Sequence, residues 1–218
     1  MISDGRPATA RSPSETSEFA SSQLALGLHA AAQPLTILLA GLGRANTHRM
    51  NTSELRDLTE SSAAQVQRIC TLFRHMQQLL LVQSTEAIVF PVSLQPLLTH
   101  VVEGVELVFR EAGVALNISI PENCRPVLID SARTIGALTS LLLIANQISN
   151  AADTVELILS STLDFVQIVI RNLRSQIKEL DPEASLSLAV AEANMRSQEA
   201  LFSLHLHPFL VCIELQRA

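Results

Sequence analysis

The chain has 218 residues, 48% of them apolar, and a formal charge of −6; it is long enough to bury a core in one or two domains, and its scattered basic residues argue against a nucleic-acid surface. Trp and Tyr are absent and aromatics make up only 3%, which removes the usual stacking platforms for bases and sugars. Three well-separated cysteines, Cys70, Cys124 and Cys212, fit neither a zinc site nor a disulfide framework and suit a reducing cytoplasm.

Residues 1–18 are rich in Ser, Thr and Pro and lack an apolar period, so they read as a disordered tail, without the order of a signal peptide. From Phe19 to Gly43 no Asp, Glu, Lys or Arg occurs over 25 residues, a span that could cross a bilayer. Two Gln, a His, a Pro, a Thr and two Ser interrupt it, and no basic cluster flanks one side. A helix buried on several faces of a soluble bundle is the expectation, with no membrane partner.

That helix is predicted over Ser17 to Ala45, with Ala31, Leu35, Leu38 and Leu42 spaced as a coiled-coil-like seam and Pro34 inside it. After a break at 46–50, Asn51 and Glu54 form a capping-box pair opening a second helix over Thr52 to Leu81. Its apolar repeat runs Leu55, Leu58, Ser62, Val66, Ile69, Phe73, Met76 and Leu80. Two long helices joined by a short turn predict an antiparallel hairpin over 19–83. A lone hairpin leaves an apolar side bare, so two copies are expected to pair into a four-helix bundle, making the protein a homodimer.

Beyond Gln83 the pattern alternates. Ala87 to Phe90 reads as a strand, and Ser93 to Ala112 as a helix with Leu94, Leu97, Leu98, Val101, Val105 and Val108 inward and Gly113 as its stop. Strands follow at Val114 to Ile120, with Leu116 and Ile118 on one face, and at Pro126 to Ile129. A helix then covers Ser131 to about Ser149. Thr154 to Ser160 and Phe165 to Asn172 form a hairpin turning at 162–164. Pro182 to Arg196 is helical, and Ala200 to His207 with Phe209 to Gln216 closes around Pro208. The fold class is α+β: the hairpin, then an α/β sandwich over 84–218 with about six strands in one sheet and three helices on one face.

Several stretches carry a family resemblance. His29, Gln33, Pro34, Leu35 and Thr36 resemble the H-box of two-component sensor histidine kinases, in which a histidine precedes a polar residue and Pro-Leu. The stretch from Phe109 to Asn146 is similar to the kinase segment that ends in Asp-x-x-Arg and enters the asparagine-bearing helix, with Asp130 and Arg133 at the matching places. Ala184 to Leu206 resembles the segment that carries the later glycine pair and the final strands. The order of elements, hairpin then sandwich, is that of the phosphoacceptor and ATP-binding domains.

The resemblance implies a degenerate nucleotide site. Ser140 and Ile144 stand where the nucleotide-box asparagines belong, and Asn172, Arg174 and Gln176 replace Asp-x-Gly-x-Gly. Ser185 and Ser187 replace the later glycines, and only eight residues, Ile177 to Ala184, remain for a lid. Aspartate would accept the adenine amino group, glycines would let the backbone approach phosphate, and asparagines would hold Mg²⁺. Ala30 occupies the place of the usual acidic base beside the histidine.

What remains is a pattern similar to histidine phosphotransferases with a degenerate kinase scaffold. These pass phosphoryl groups to and from response-regulator receiver domains without using ATP. The implied phosphoacceptor is His29, with Gln33 as an orienting residue and Mg²⁺ supplied on the receiver. A hybrid histidine kinase is a further implied partner, and the chain needs no cofactor of its own. The alternative is a catalytically silent adaptor that binds a kinase or a response regulator.

Other candidates carry less. His205 and His207 could form half a metal site but read more simply as a solvated strand face. His75 is expected to be exposed on the second helix. No histidine lies near Ser185 and Ser187 in the sequence to suggest a hydrolase.

Overall fold

A computed structural model describes residues 13–121, 124–162, 164–175 and 179–218, with side chains from Ser21 onward. Residues 1–12 of the expected tail, Leu163 of the expected turn, Gln176 and the first lid positions lie outside the described residues.

Helix α1 runs Pro13–Thr47, so it opens earlier than the expected Ser17 and takes in the end of the 1–18 tail. A proline is well tolerated in a first helical turn, where its missing N–H has no partner to lose. Pro34 lies inside α1. Helix α2 spans Thr52–Ser84 and begins with the predicted capping box. The Glu54 N–H donates to Asn51 Oδ1 at 3.0 Å, and the Asn51 N–H donates to Glu54 Oε2 at 2.8 Å. Gly41 leaves room for Leu58 where the two helices approach, since a Cβ there would sit 2.7 Å from Leu58 Cδ1.

The second region contains β1 (Phe90–Val92), α3 (Leu94–Ala112), β2 (Ala115–Ser119), β3 (Val127–Ile129), α4 (Ser131–Gln147), β4 (Thr154–Ser161), β5 (Phe165–Asn172), α5 (Pro182–Arg196), β6 (Leu201–Leu206) and β7 (Phe209–Gln216). The expected single sheet of about six strands is instead a five-stranded mixed sheet, β2-β4-β5-β7-β6, and a separate antiparallel pair of β1 and β3. Alternation identifies strands but not their partners. Here β2 joins the sheet edge by parallel pairing with β4, while the three-residue β3 pairs with β1. The first strand is therefore Phe90–Val92 rather than Ala87 to Phe90.

Cross-strand rows build the core. Leu157, Ile170, Val211 and Leu204 align across four strands, as do Leu159, Ile168, Ile213 and Phe202. Alternate residues point to the helices, as a period of two requires. Helix α3 adds Leu94, Leu97, Leu98, Val101, Val105 and Phe109 to this core. Val108, expected inward, is exposed; the buried series steps by three and four from Leu94 to Phe109, and Val108 falls beside that stripe. Gly113 ends α3 at φ 69°, a conformation glycine adopts without Cβ strain, and the Val114 N–H reaches the Phe109 carbonyl at 3.0 Å.

Helix α5 is sandwiched. Ala184, Leu188, Ala191 and Met195 face the α/β core, while Leu186 and Val190 join Ala31 of α1 and Leu72, Met76 and Leu79 of α2 in a second buried cluster. This contact reorders the predicted α2 repeat. Leu55, Val66, Phe73 and Leu80 are exposed, and Leu72 and Leu79 take the buried places because a third helix covers that side. His75, expected exposed, is half-buried on α2.

Candidate functional site: the His29 face and the α4–α5 edge

His29 lies exposed on α1, with Gln33 exposed one turn further on. Ala25 and Ala32, neighbours at helical spacing, are exposed too and leave low relief around the ring. Ala31 and Pro34 point inward, so the burial of α1 falls away from His29. Proline at 34 has no N–H for a helical bond, and Thr36 returns its hydroxyl to the Ala32 carbonyl at 2.9 Å.

The two positions that the resemblance equates with nucleotide-box asparagines lie on α4. Ser140 is half-buried and Ile144 is 3% exposed, packed in the α/β core. At the end of β5, Asn172 is fully buried and both ends of its amide are engaged. Its Nδ2 donates to Ser149 Oγ at 2.6 Å, and its Oδ1 accepts from the Arg174 N–H at 2.9 Å. Asp181 caps α5 by accepting from the Ala184 N–H at 2.7 Å and also accepts from Gln147 Nε2 of α4 at 2.8 Å. Ser185 and Ser187 are half-buried on α5, and the Ser185 hydroxyl reaches the Leu180 carbonyl at 3.4 Å.

Charge is shifted at this edge. Burial, reinforced by Asp181, pushes the Glu183 carboxyl above its ordinary pKa, and Arg68 of α2 partly opposes the shift. On α2, burial and then Arg74 push the His75 imidazole down, and its Nδ1 is buried without a partner.

The Asp-x-x-Arg pair forms a junction that sequence reading located without its partners. Asp130 caps α4 through the Arg133 N–H at 3.1 Å and accepts the Ile88 N–H at 3.1 Å. Arg133 donates to the Thr85 carbonyl at 2.9 Å, the Thr85 hydroxyl at 2.7 Å and Ser197 Oγ at 2.7 Å. Gln198 Oε1 accepts the Asp130 backbone N–H at 2.7 Å. Asn146 and Ser175 were also missed: Asn146 Oδ1 and Ser175 Oγ are buried with no hydrogen-bond partner. Neither residue carries a local pattern that signals such burial.

His205 is exposed on β6, whereas His207 lies in the following turn. Among the described residues no group of three His, Cys, Asp or Glu could hold a metal ion. One described helix, Ser21–Thr47, is long and apolar enough to cross a membrane by length and composition, with 17% of its most apolar window buried.

No protein-family model and no curated protein matches the sequence. Solved structures do. The Acinetobacter baumannii histidine kinase AdeS aligns at TM-score 0.63 and 17% identity, over 84% of this chain and 95% of that one. The histidine kinase ThkA in complex with the response regulator TrrA aligns at TM-score 0.69 and 13% identity, covering 88% of this chain and 60% of that one. A histidine kinase from Burkholderia phymatum STM815 aligns at 0.55 and 14%, over 88% and 98%. These alignments cover most of the chain, and the protein therefore has a histidine-kinase-like scaffold.

Proposed function

We propose that this protein is a histidine phosphotransferase that relays phosphoryl groups through His29 to or from response-regulator receiver domains without using ATP. The observation that carries this reading is a contrast: His29 stands exposed on α1, while Asn172, at the adenine-binding position, is fully buried with its amide committed to Ser149 and Arg174. An adenine amino group would have to displace those bonds, and Asn172 carries no charge to reward the exchange. Ile144 offers no ligand for Mg²⁺. The residues present do not fit a bound nucleotide.

The chemistry asks little of this chain. A ring nitrogen lone pair of His29 attacks the phosphorus of a receiver aspartyl phosphate; the N–P bond forms as the P–O bond to the aspartate breaks, and the aspartate leaves as carboxylate. The reverse step restores it. Phosphoryl transfer has a loose transition state, so positioning and charge neutralisation dominate, with Mg²⁺ on the receiver. Gln33 orients the incoming group. The response-regulator partner of the similar ThkA structure belongs to that protein; a receiver as partner here is part of the proposal.

Two copies are proposed to pair through the hairpin in the cytoplasm. Leu28, Leu35 and Leu42 on α1, and Val66, Phe73 and Leu80 on α2, form exposed stripes with steps of seven, the spacing of a bundle seam. A second reading, an adaptor that binds a kinase or regulator without phosphorylation, draws on Ala30, which leaves His29 without an adjacent acidic base. Incubation with phosphorylated receivers separates the two: acid-labile phosphate on the wild type and none on His29→Ala supports the relay. Receivers that bind and stay phosphorylated, with no label on this chain, favour the adaptor.

A further inference from the structure

We infer that two clamps, one polar and one apolar, hold the α/β region in a single fixed pose on the hairpin, with Arg133 as its positioning residue. The polar clamp sits where the chain leaves α2. Arg133 spreads its guanidinium over the Thr85 carbonyl, the Thr85 hydroxyl and Ser197 Oγ, so one side chain ties the connecting segment to the start of α4 and the end of α5. Asp130 holds the same segment three residues on through the Ile88 N–H, and Arg133 Nε lies 3.6 Å from its carboxylate. Both side chains are mostly buried, at 12% and 15% exposed, where charge-assisted bonds are screened least.

The apolar clamp lies at the far side of α5. Leu186 is fully buried and Val190 is 5% exposed, against Leu72, Met76 and Leu79 of α2 and Ala31 of α1. Gly27 makes the three-helix meeting possible, because a Cβ at that position would lie 2.8 Å from Met76 Sδ and 3.2 Å from Leu186 Cδ2. Leu186 and Val190 belong to this interdomain cluster and not to the α/β core. Their burial therefore stabilises the pose rather than the domain.

Each attachment is an extended contact of several residues, and together they oppose rotation of the α/β region about the segment that leaves α2. A domain that must deliver a phosphoryl group to a histidine on another domain has to move; one that only flanks the histidine works better fixed. The inference thus deepens the phosphotransfer reading, because the fixed α/β region becomes a permanent wall beside α1 for an incoming receiver. The pose itself does not depend on that reading.

The test is a distance measurement in the full chain. Spin labels go on the native Cys70, exposed on α2, and on Asn117→Cys at exposed β2, with Cys124→Ser and Cys212→Ser and dilution by unlabelled chain. The wild-type background is expected to give one narrow distance distribution. Arg133→Ala combined with Leu186→Asp is expected to broaden it and to raise proteolysis of the 84–89 segment by ~10-fold or more. Arg133→Lys, which cannot span three acceptors, falls between. Circular dichroism and β-region exchange protection identify any variant whose α/β region fails to fold, and Val190→Asp then takes its place. A broad distribution in the wild type, or a narrow one that survives both clamp changes, overturns the inference. Absence of label on His29 would sink the phosphotransfer reading alone and leave the distance result standing.

Discussion

The hairpin and the α/β region use apolar side chains in opposite ways. In the α/β region Leu138, Leu141 and Leu142 of α4 and Leu157 and Ile168 of the sheet are fully buried in one core. On the hairpin Leu28, Leu39 and Leu42 of α1 are 60%, 70% and 57% exposed, and Leu80 and Leu81 of α2 are 50% and 58%. Isolated exposed leucines are ordinary, but ordered stripes of them on two adjacent helices mark a surface to be covered. One region has completed its core within a single chain; the other leaves apolar stripes that the proposed second copy would cover. The same contrast separates the two candidate chemistries, since His29 sits on the open region and the nucleotide-like positions in the closed one.

The sharpest way to break the comparison is to truncate one leucine in each region. Leu157→Ala should cost ~2–5 kcal/mol in urea unfolding, because it empties a fully packed site. Leu39→Ala should stay within about 0.5 kcal/mol in the same assay. Equal losses would mean that Leu39 is covered in solution and does not lie on an open face. Next comes the seam: Leu35→Asp with Phe73→Asp should convert a particle of twice 23.7 kDa into one of 23.7 kDa by light scattering, with helicity retained. A wild type already at 23.7 kDa at high concentration would remove the dimer.

Calorimetry with Mg²⁺ and ATP examines the closed region and should give no saturable heat at micromolar concentrations. A smaller effect follows from His75. Burial lowers its folded pKa below the unfolded value, so over the window below ~6.5 the unfolded chain binds more protons. Stability is therefore full above that window and declines as pH falls through it. His75→Gln should flatten that slope in melts run from neutral to mildly acidic pH; an unchanged slope would assign the acid sensitivity to other groups. Last, Asn51→Ala should cost about 1 kcal/mol by removing one half of the capping box, read as an earlier melt of α2 by circular dichroism.

Much of this molecule was legible in the chain. Asn51 with Glu54, Gly113 after the α3 stripe, and the strand pattern of Thr154 to Ser160 and Phe165 to Asn172 all act over a few residues, where φ/ψ preference and side-chain period decide the outcome. Those local signals placed both helices of the hairpin, all three later helices, and the position of His29 on α1. Partners at long range were a different matter. No local rule states that β1 pairs with β3, that Leu72 and Leu79 outrank Phe73 and Leu80 for burial on α2, or that His75 is half-covered. Each of these depends on α5 docking against the hairpin and on which strand reaches a free edge. The sequence by itself determined the elements, because their hydrogen bonds and faces are set by neighbouring residues. Only the tertiary structure decided which faces met and what Arg133 holds, because burial is a property of the assembled chain.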